Sequence, residues 1–127
     1  MTRRAVSTAG APAAIGPYSQ GIIADGFLFC SGQAALDPST GLLVEGGIEP
    51  ETERVMANLT AVLDAAGCSW GDVVKTTIFL VDIADFATIN AIYGRFVGDP
   101  PPARSTVGVA ALPKGARVEI EAVARLG

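Results

Sequence analysis

The sequence predicts an α+β fold, a mixed sheet of about six strands with two helices on one face, and three observations predict it. An Asp-Gly pair divides two short apolar runs near the start. Two later stretches carry apolar residues at helical spacing. Between those stretches lies a long run that is apolar on both faces, and two more strand-like segments close the chain. The order is strands, helix, strand, helix, strands. At 127 residues, with no repeat, low-complexity tract or separating linker, residues 1–127 are expected to form a single domain.

The elements follow in order. Ala11 to Tyr18, with Pro12, Gly16 and Pro17, reads as an ordered loop. Gly21 to Ala24 and Phe27 to Ser31 read as hairpin strands, because Asp25-Gly26 tolerates the positive φ angles of a type I′ turn. Ser31-Gly32-Gln33 ends the second strand, and Asp37-Pro38-Ser39-Thr40-Gly41 re-aims the chain. A helix is expected from about Pro50 to Ala66. Pro50 suits a first helical position, where the missing N–H would be unpaired anyway. Val55, Met56, Leu59, Val62, Leu63 and Ala66 form its apolar stripe, and Gly67 is a good terminator. Val73 to Val81 reads as a central strand, with Val74, Ile78 and Leu80 on one face and Val73, Phe79 and Val81 on the other. A second helix is expected from about Asp85 to Val97, with Phe86, Ile89, Tyr93 and Phe96 on its stripe. Gly98 and Pro100-Pro101-Pro102 stop it. Arg104 to Val109 and Arg117 to Ala124 read as the last strands, joined through Leu112-Pro113-Lys114-Gly115.

Composition removes several kinds of function. Charged residues make up 17% of the chain, against about 25% in ordinary globular proteins. So small a domain has much surface to cover, so the deficit predicts that part of that surface meets another subunit. The doubly apolar strand predicts the same. Net charge is -4, and no Lys/Arg cluster occurs beyond Arg3-Arg4, which disfavours a nucleic-acid partner. The chain has no histidine. Ser-His-Asp and Cys-His machinery is therefore absent, as are most zinc sites. Cys30 and Cys68 lie outside any CxxC pattern, beside small or apolar residues, and read as two buried free thiols, with a single disulfide as the alternative. No run resembles a signal peptide or approaches the ~18 apolar residues of a membrane helix. The expectation is a soluble cytoplasmic protein with no membrane partner.

A set of short motifs then falls in a familiar order. Ala13-Ala14-Ile15-Gly16-Pro17-Tyr18-Ser19-Gln20-Gly21 resembles the N-terminal IGPYSQ segment of RidA/YjgF proteins, and Ser31-Gly32-Gln33 resembles their SGQ. Lys75-Thr76-Thr77 with Asp82, then Asn90 and Tyr93, resemble the middle of that family. Pro102-Ala103-Arg104-Ser105, Leu112-Pro113-Lys114 and Val118-Glu119-Ile120-Glu121-Ala122 resemble its C-terminal signature. The likeness runs from about residue 8 to residue 124. It implies a chorismate-mutase-like α+β fold, a homotrimer with clefts between subunits that bind small carboxylates, and no metal or organic cofactor. The activity it implies is that of a 2-iminobutanoate/2-iminopropanoate deaminase, hydrolysing 2-aminoacrylate-type enamines and their imine tautomers.

Carried over residue by residue, the resemblance puts the carboxylate-binding arginine at Arg104 and the water-positioning acid at Glu119. The pocket tyrosine falls on Tyr18, the strand-end serine and glycine on Ser31 and Gly32, and the helix asparagine on Asn90. Two departures stand out. Thr106 occupies a position that is often Cys in bacterial members. The loop between Asn90 and Arg104 is about three residues shorter than in archetypal ones, which bears on substrate range.

The residue types suit the chemistry. A guanidinium grips a carboxylate through two parallel hydrogen bonds, each charge-assisted bond contributing roughly 1.5–3 kcal/mol. A carboxylate such as Glu119 can orient a water and take its proton, an effect of about 100- to 10,000-fold. On an alternating strand Glu119 and Glu121 share one face. Gly32 would let a ligand approach the main chain closely. Plainer roles stand beside these: Arg104 as an ion-pair partner of Glu119 or Glu121, Glu119 as a solvated charge, Tyr18 as packing, Asn90 as a helix-surface or capping group, Ser31 as a turn residue. The competing functions are a small-carboxylate-binding protein without turnover, a deaminase dedicated to another enamine or imine acid, and a ribonuclease or translation inhibitor. The last suffers from the missing histidine and basic surface.

Overall fold

The structure, a computed structural model, describes residues 2–127. Six strands form one mixed sheet: β1 (Arg4–Val6), β2 (Gly21–Ala24), β3 (Phe27–Gln33), β4 (Val73–Leu80), β5 (Ala103–Gly108) and β6 (Val118–Arg125). Their spatial order is β1-β2-β3-β6-β4-β5. Every pairing is antiparallel except β4 with β5, which run parallel. A parallel pair needs a crossover, and α2 (Phe86–Tyr93) supplies it. The other helix, α1 (Ile48–Ala65), packs beside α2 on the same face of the sheet.

Between helices and sheet lies the core. Leu28, Leu59, Leu63, Ile78, Leu80 and Ile120 are fully buried there, each contributing about 1.5–3 kcal/mol by leaving water. The first hairpin turns as its sequence predicts, with φ of 52° at Asp25 and 79° at Gly26. Cys30 and Cys68 are buried free thiols. Burial, and secondarily the neighbouring Cys68, pushes the Cys30 thiol up to about 12.

Several boundaries differ from the sequence expectation. The first helix starts at Ile48, so Pro50 is its third residue rather than its first. Proline is compatible there because the third N–H of a helix also has no partner within the helix. The second helix ends at Tyr93, not Val97. It is preceded by a tight turn, Ile83–Asp85, where the Asp82 carboxylate accepts from the Ala84 N–H at 3.0 Å. Gly94 follows, and the bonds of Arg95 to Ile92 and Phe96 to Tyr93 tighten the spacing to three residues. The edge strand β1 had no sequence signal of its own. It is three residues long, and pairing with β2 makes it a strand.

The faces of β4 also need correction. Val74 was expected beside Ile78 and Leu80. A register shift between Val73 and Lys75 inserts Val74 as an extra residue opposite β6. It turns Val73 into the core and leaves Val74 44% exposed. The face without helices carries Phe27, Phe29, Phe79, Val107 and Val123, and among the described residues no helix packs on it. Phe29 is 47% exposed. Among the described residues no helix is long and apolar enough to cross a membrane.

Candidate functional site

The ladder between β3 and β6 is interrupted where the site lies. Cys30 pairs with Ala122 and Gln33 with Ile120, so Ser31 and Gly32 together face Glu121. This bulge lifts the Ser31-Gly32 main chain off the ladder. The Glu119 side chain lies in the notch so formed. A Cβ built on Gly32 would stand 2.1 Å from Glu119 Oε1. Gly32 thus lacks a side chain because the Glu119 carboxylate occupies that space. Ser31 is pinned by its Oγ donating to the Ser19 carbonyl at 2.5 Å and by its N–H donating to the Gln20 carbonyl at 3.0 Å.

A cavity of about 770 Å3 opens from this notch. Tyr18, Ser31, Gly32, Glu119, Glu121 and Lys114 are among its lining residues. Burial, and then the charge of Glu121, holds the Glu119 carboxyl above the usual carboxylate range. Tyr18 is 52% exposed and lines this cavity, so it is not part of the core. Lys114 sits at φ 60° and reaches the Gly41 carbonyl at 3.3 Å, tying the last turn to the loop opposite.

Arg104 is elsewhere. It pairs in the β4–β5 ladder with Thr76, which is buried on the helix face. Glu119 pairs with Phe79, which lies between the buried Ile78 and Leu80 and therefore faces the other way. The two side chains leave the sheet from opposite faces. Arg104 Nη1 donates to Asn90 Oδ1 at 2.7 Å, and its guanidinium carbon stands 5.1 Å from the Tyr93 ring centre and 5.5 Å from that of Phe86. Thr106 shares the strand with Arg104, opposite Ile78. One chain therefore assembles two groups, Tyr18-Ser31-Gly32-Glu119 and Asn90-Arg104-Thr106. No ion pair joins Arg104 to Glu119 or Glu121. The ion pairs among the described residues are Arg95–Glu53 and Arg117–Glu51.

Three buried polar residues brace the chain around the site, and none of them has that role in the sequence analysis. Gln20, within the IGPYSQ-like segment, donates from Nε2 to the carbonyls of Thr8, Ala11 and Pro12 and accepts from the Thr8 N–H at 2.7 Å. Asn58 donates to the carbonyls of Ala34 and Leu36, at 3.2 and 3.0 Å, and so fixes the chain leaving β3. Glu51 is fully buried and accepts from both the N–H and the guanidinium of Arg117, where β6 begins. An acid in a first helical turn reads from sequence as a partner of the helix dipole, so no local signal marks this role. Among the described residues no group of His, Cys, Asp or Glu side chains is placed to hold a metal ion.

A family model described as Endoribonuclease L-PSP matches residues 8–126. A human protein named 2-iminobutanoate/2-iminopropanoate deaminase is 51% identical over 127 residues, covering 100% of this chain and 93% of its own length. The crystal structure of RidA from an Antarctic Psychrobacter superposes with a TM-score of 0.93 at 42% identity, covering 97% of this chain and 99% of that one. That of Escherichia coli TdcF with bound serine does so with a TM-score of 0.91 at 40% identity, covering 98% and 99%.

Proposed function

The chain belongs to the Endoribonuclease L-PSP family, the RidA/YjgF proteins of the sequence resemblance, and from that premise we propose that it is a deaminase hydrolysing reactive 2-imino and 2-enamino acids to 2-keto acids and ammonia. The human relative, alike over its full length, carries a deaminase name. The observation that carries the reading is Arg104. It is steadied by a neutral amide and two rings, and no carboxylate among the described residues neutralises it. Its remaining N–H groups are available to a carboxylate as a planar two-bond grip.

The roles follow. Arg104 binds the substrate carboxylate, and Asn90 aims the guanidinium. Glu119 orients a water and takes a proton from it; a carboxyl held above the usual range is the stronger base once ionised. The water oxygen bonds to the C=N carbon, the nitrogen gains protons, the C–N bond breaks, and ammonia leaves. The balance needs no electron carrier or group donor, so the proposal includes no cofactor. Ser31 Oγ already donates to Ser19, which leaves the main chain beside Gly32 for the departing nitrogen. Tyr18 and Thr106 shape the space around the side chain of the substrate.

Arg104 and Glu119 leave opposite faces of one sheet, so they serve one substrate only when a second copy of the chain brings one to the other. We therefore include a homotrimer with its sites between subunits, closed by cyclic symmetry over the uncovered aromatic face. Buried, unpaired Cys30 and Cys68 suit a reducing, cytoplasmic setting.

The test couples the protein to a serine or threonine dehydratase and follows keto-acid formation. The wild type is expected to accelerate it and Arg104→Ala to abolish that acceleration; equal rates with both proteins overturn the reading. Sedimentation at micromolar concentration is expected to give three times the mass of the chain, and a monomer overturns the shared site. The family description favours one other reading, RNA cleavage. A net charge of -4 and the absence of histidine oppose it. RNA cleavage that persists in Arg104→Ala would come from a different site or a contaminant.

A further inference from the structure

The sequence puts Tyr93 on the core-facing stripe of the second helix, and Tyr93 is indeed 5% exposed. Packing does not exhaust what it touches. Its hydroxyl shares a 2.7 Å hydrogen bond with Thr76 Oγ1, itself 1% exposed, and the guanidinium of Arg104 lies over its ring. Thr76 is the β4 residue directly beside Arg104 in the ladder, and on its other side it pairs with Ala122 of β6. Strand β4 thus grips the ring at its hydroxyl end, while the face of the ring carries the arginine. Phe86 adds a second ring and Asn90 a hydrogen bond from the same helix.

We propose that Tyr93 is a positioning residue for Arg104, its ring a shelf for the guanidinium and its hydroxyl, through Thr76, the pin that fixes the shelf. This deepens the deaminase reading and rests on it. An arginine side chain has many rotamers, and a binding site that leaves them free loses affinity when the ligand freezes them. A ring face attracts the cation and leaves the edges of the guanidinium, where its N–H groups point, open to a carboxylate. The pin has its own logic. Two buried hydroxyls satisfy each other, and removing one leaves the other unpaired.

The experiment measures imine hydrolysis and binding of 2-oxobutanoate for the wild type, Tyr93→Phe, Tyr93→Leu, Thr76→Val, the Tyr93→Phe/Thr76→Val double variant and Arg104→Ala. Melting temperature and oligomeric mass are recorded for each. Tyr93→Leu removes the shelf and is expected to raise KM and the keto-acid Kd by about tenfold, with kcat within about threefold, the signature of lost binding common to ground and transition states. Tyr93→Phe and Thr76→Val loosen the pin and are expected to raise KM about threefold each. The double variant should be no worse than either, because both act on one bond. KM and Kd within twofold of wild type in a folded Tyr93→Leu, or a fall in kcat alone, overturns the inference. Should Tyr93→Leu fail to fold, Tyr93→Phe decides: a raised KM supports the inference and an unchanged one overturns it. Wild type binding the keto acid no better than Arg104→Ala would sink the site reading itself, and this inference with it. Wild-type-like Tyr93 variants beside a dead Arg104→Ala would sink this inference alone.

Discussion

Gly32→Ala separates catalysis from folding at this site. The added Cβ would stand 2.1 Å from Glu119 Oε1, 3.0 Å from Cδ and 3.1 Å from Cγ. Ordinary contact begins near 3.4 Å, so the carboxylate must move by an ångström or more. Moving it is cheap for the fold, because the clash is with the end of a flexible side chain. The Gly32 backbone is not among the positive-φ residues, so alanine is not strained there. The shorter list of unfolded conformations open to alanine even favours the native state by about 0.4–1 kcal/mol. Catalysis is expected to suffer instead. A positioned base contributes about 100- to 10,000-fold, and an ångström of misplacement costs on the order of 100-fold. The expected result in the dehydratase-coupled assay is a kcat about 100-fold lower at an unchanged or slightly higher melting temperature. KM should stay within a few-fold, since the substrate carboxylate is held by Arg104 rather than by Glu119. Adding Glu119→Gln to Gly32→Ala should make little further difference. A Gly32→Ala protein with kcat within twofold of wild type would show that the placement of Glu119 in this notch does not matter to the reaction.

Glu119→Gln is expected to lose activity yet melt higher than wild type at neutral pH. The fold holds the Glu119 carboxyl above its ordinary value, so the protonated form is favoured in the native state. That contribution is fully present below the unfolded-state value and is lost as pH rises through the raised one. The melting difference between variant and wild type should therefore vanish in acid, and a constant difference at all pH values would contradict the assignment. Wild-type kcat should fall as pH drops through that same raised value, since the ionised form is the base. Arg104→Lys keeps the charge but not the planar two-bond grip, and keto-acid affinity by calorimetry is expected to fall about 10- to 100-fold; unchanged affinity would mean that a point charge suffices. Arg117→Ala leaves the fully buried Glu51 without its cation and should cost about 3 kcal/mol in denaturant unfolding. Glu51→Gln, which leaves a half-exposed arginine to water, should cost less; the reverse order would refute this account of the pair.

Period and punctuation made most of the fold legible in the sequence. The stripe from Val55 to Leu63, the Asp25-Gly26 turn and Gly67 at φ 76° are local features, and each produced the element its own neighbours dictate. Motif order alone named the groups proposed for the site, Arg104 and Glu119 among them. Their spatial relation is not local. Whether two strand residues share a face depends on the registers of β3, β4, β5 and β6, and a single inserted residue at Val74 or at Ser31-Gly32 changes those registers. The same holds for the notch at Gly32, the shelf under Arg104 and the buried Glu51. Each is a contact between segments distant in the chain, and residue type says only that such a partner must exist, not which one it is. Sequence therefore determined most of the elements, though not the edge strand β1, and the chemical cast of this protein. Tertiary structure decided which residues meet, because pairing register and packing distance are properties of the folded sheet.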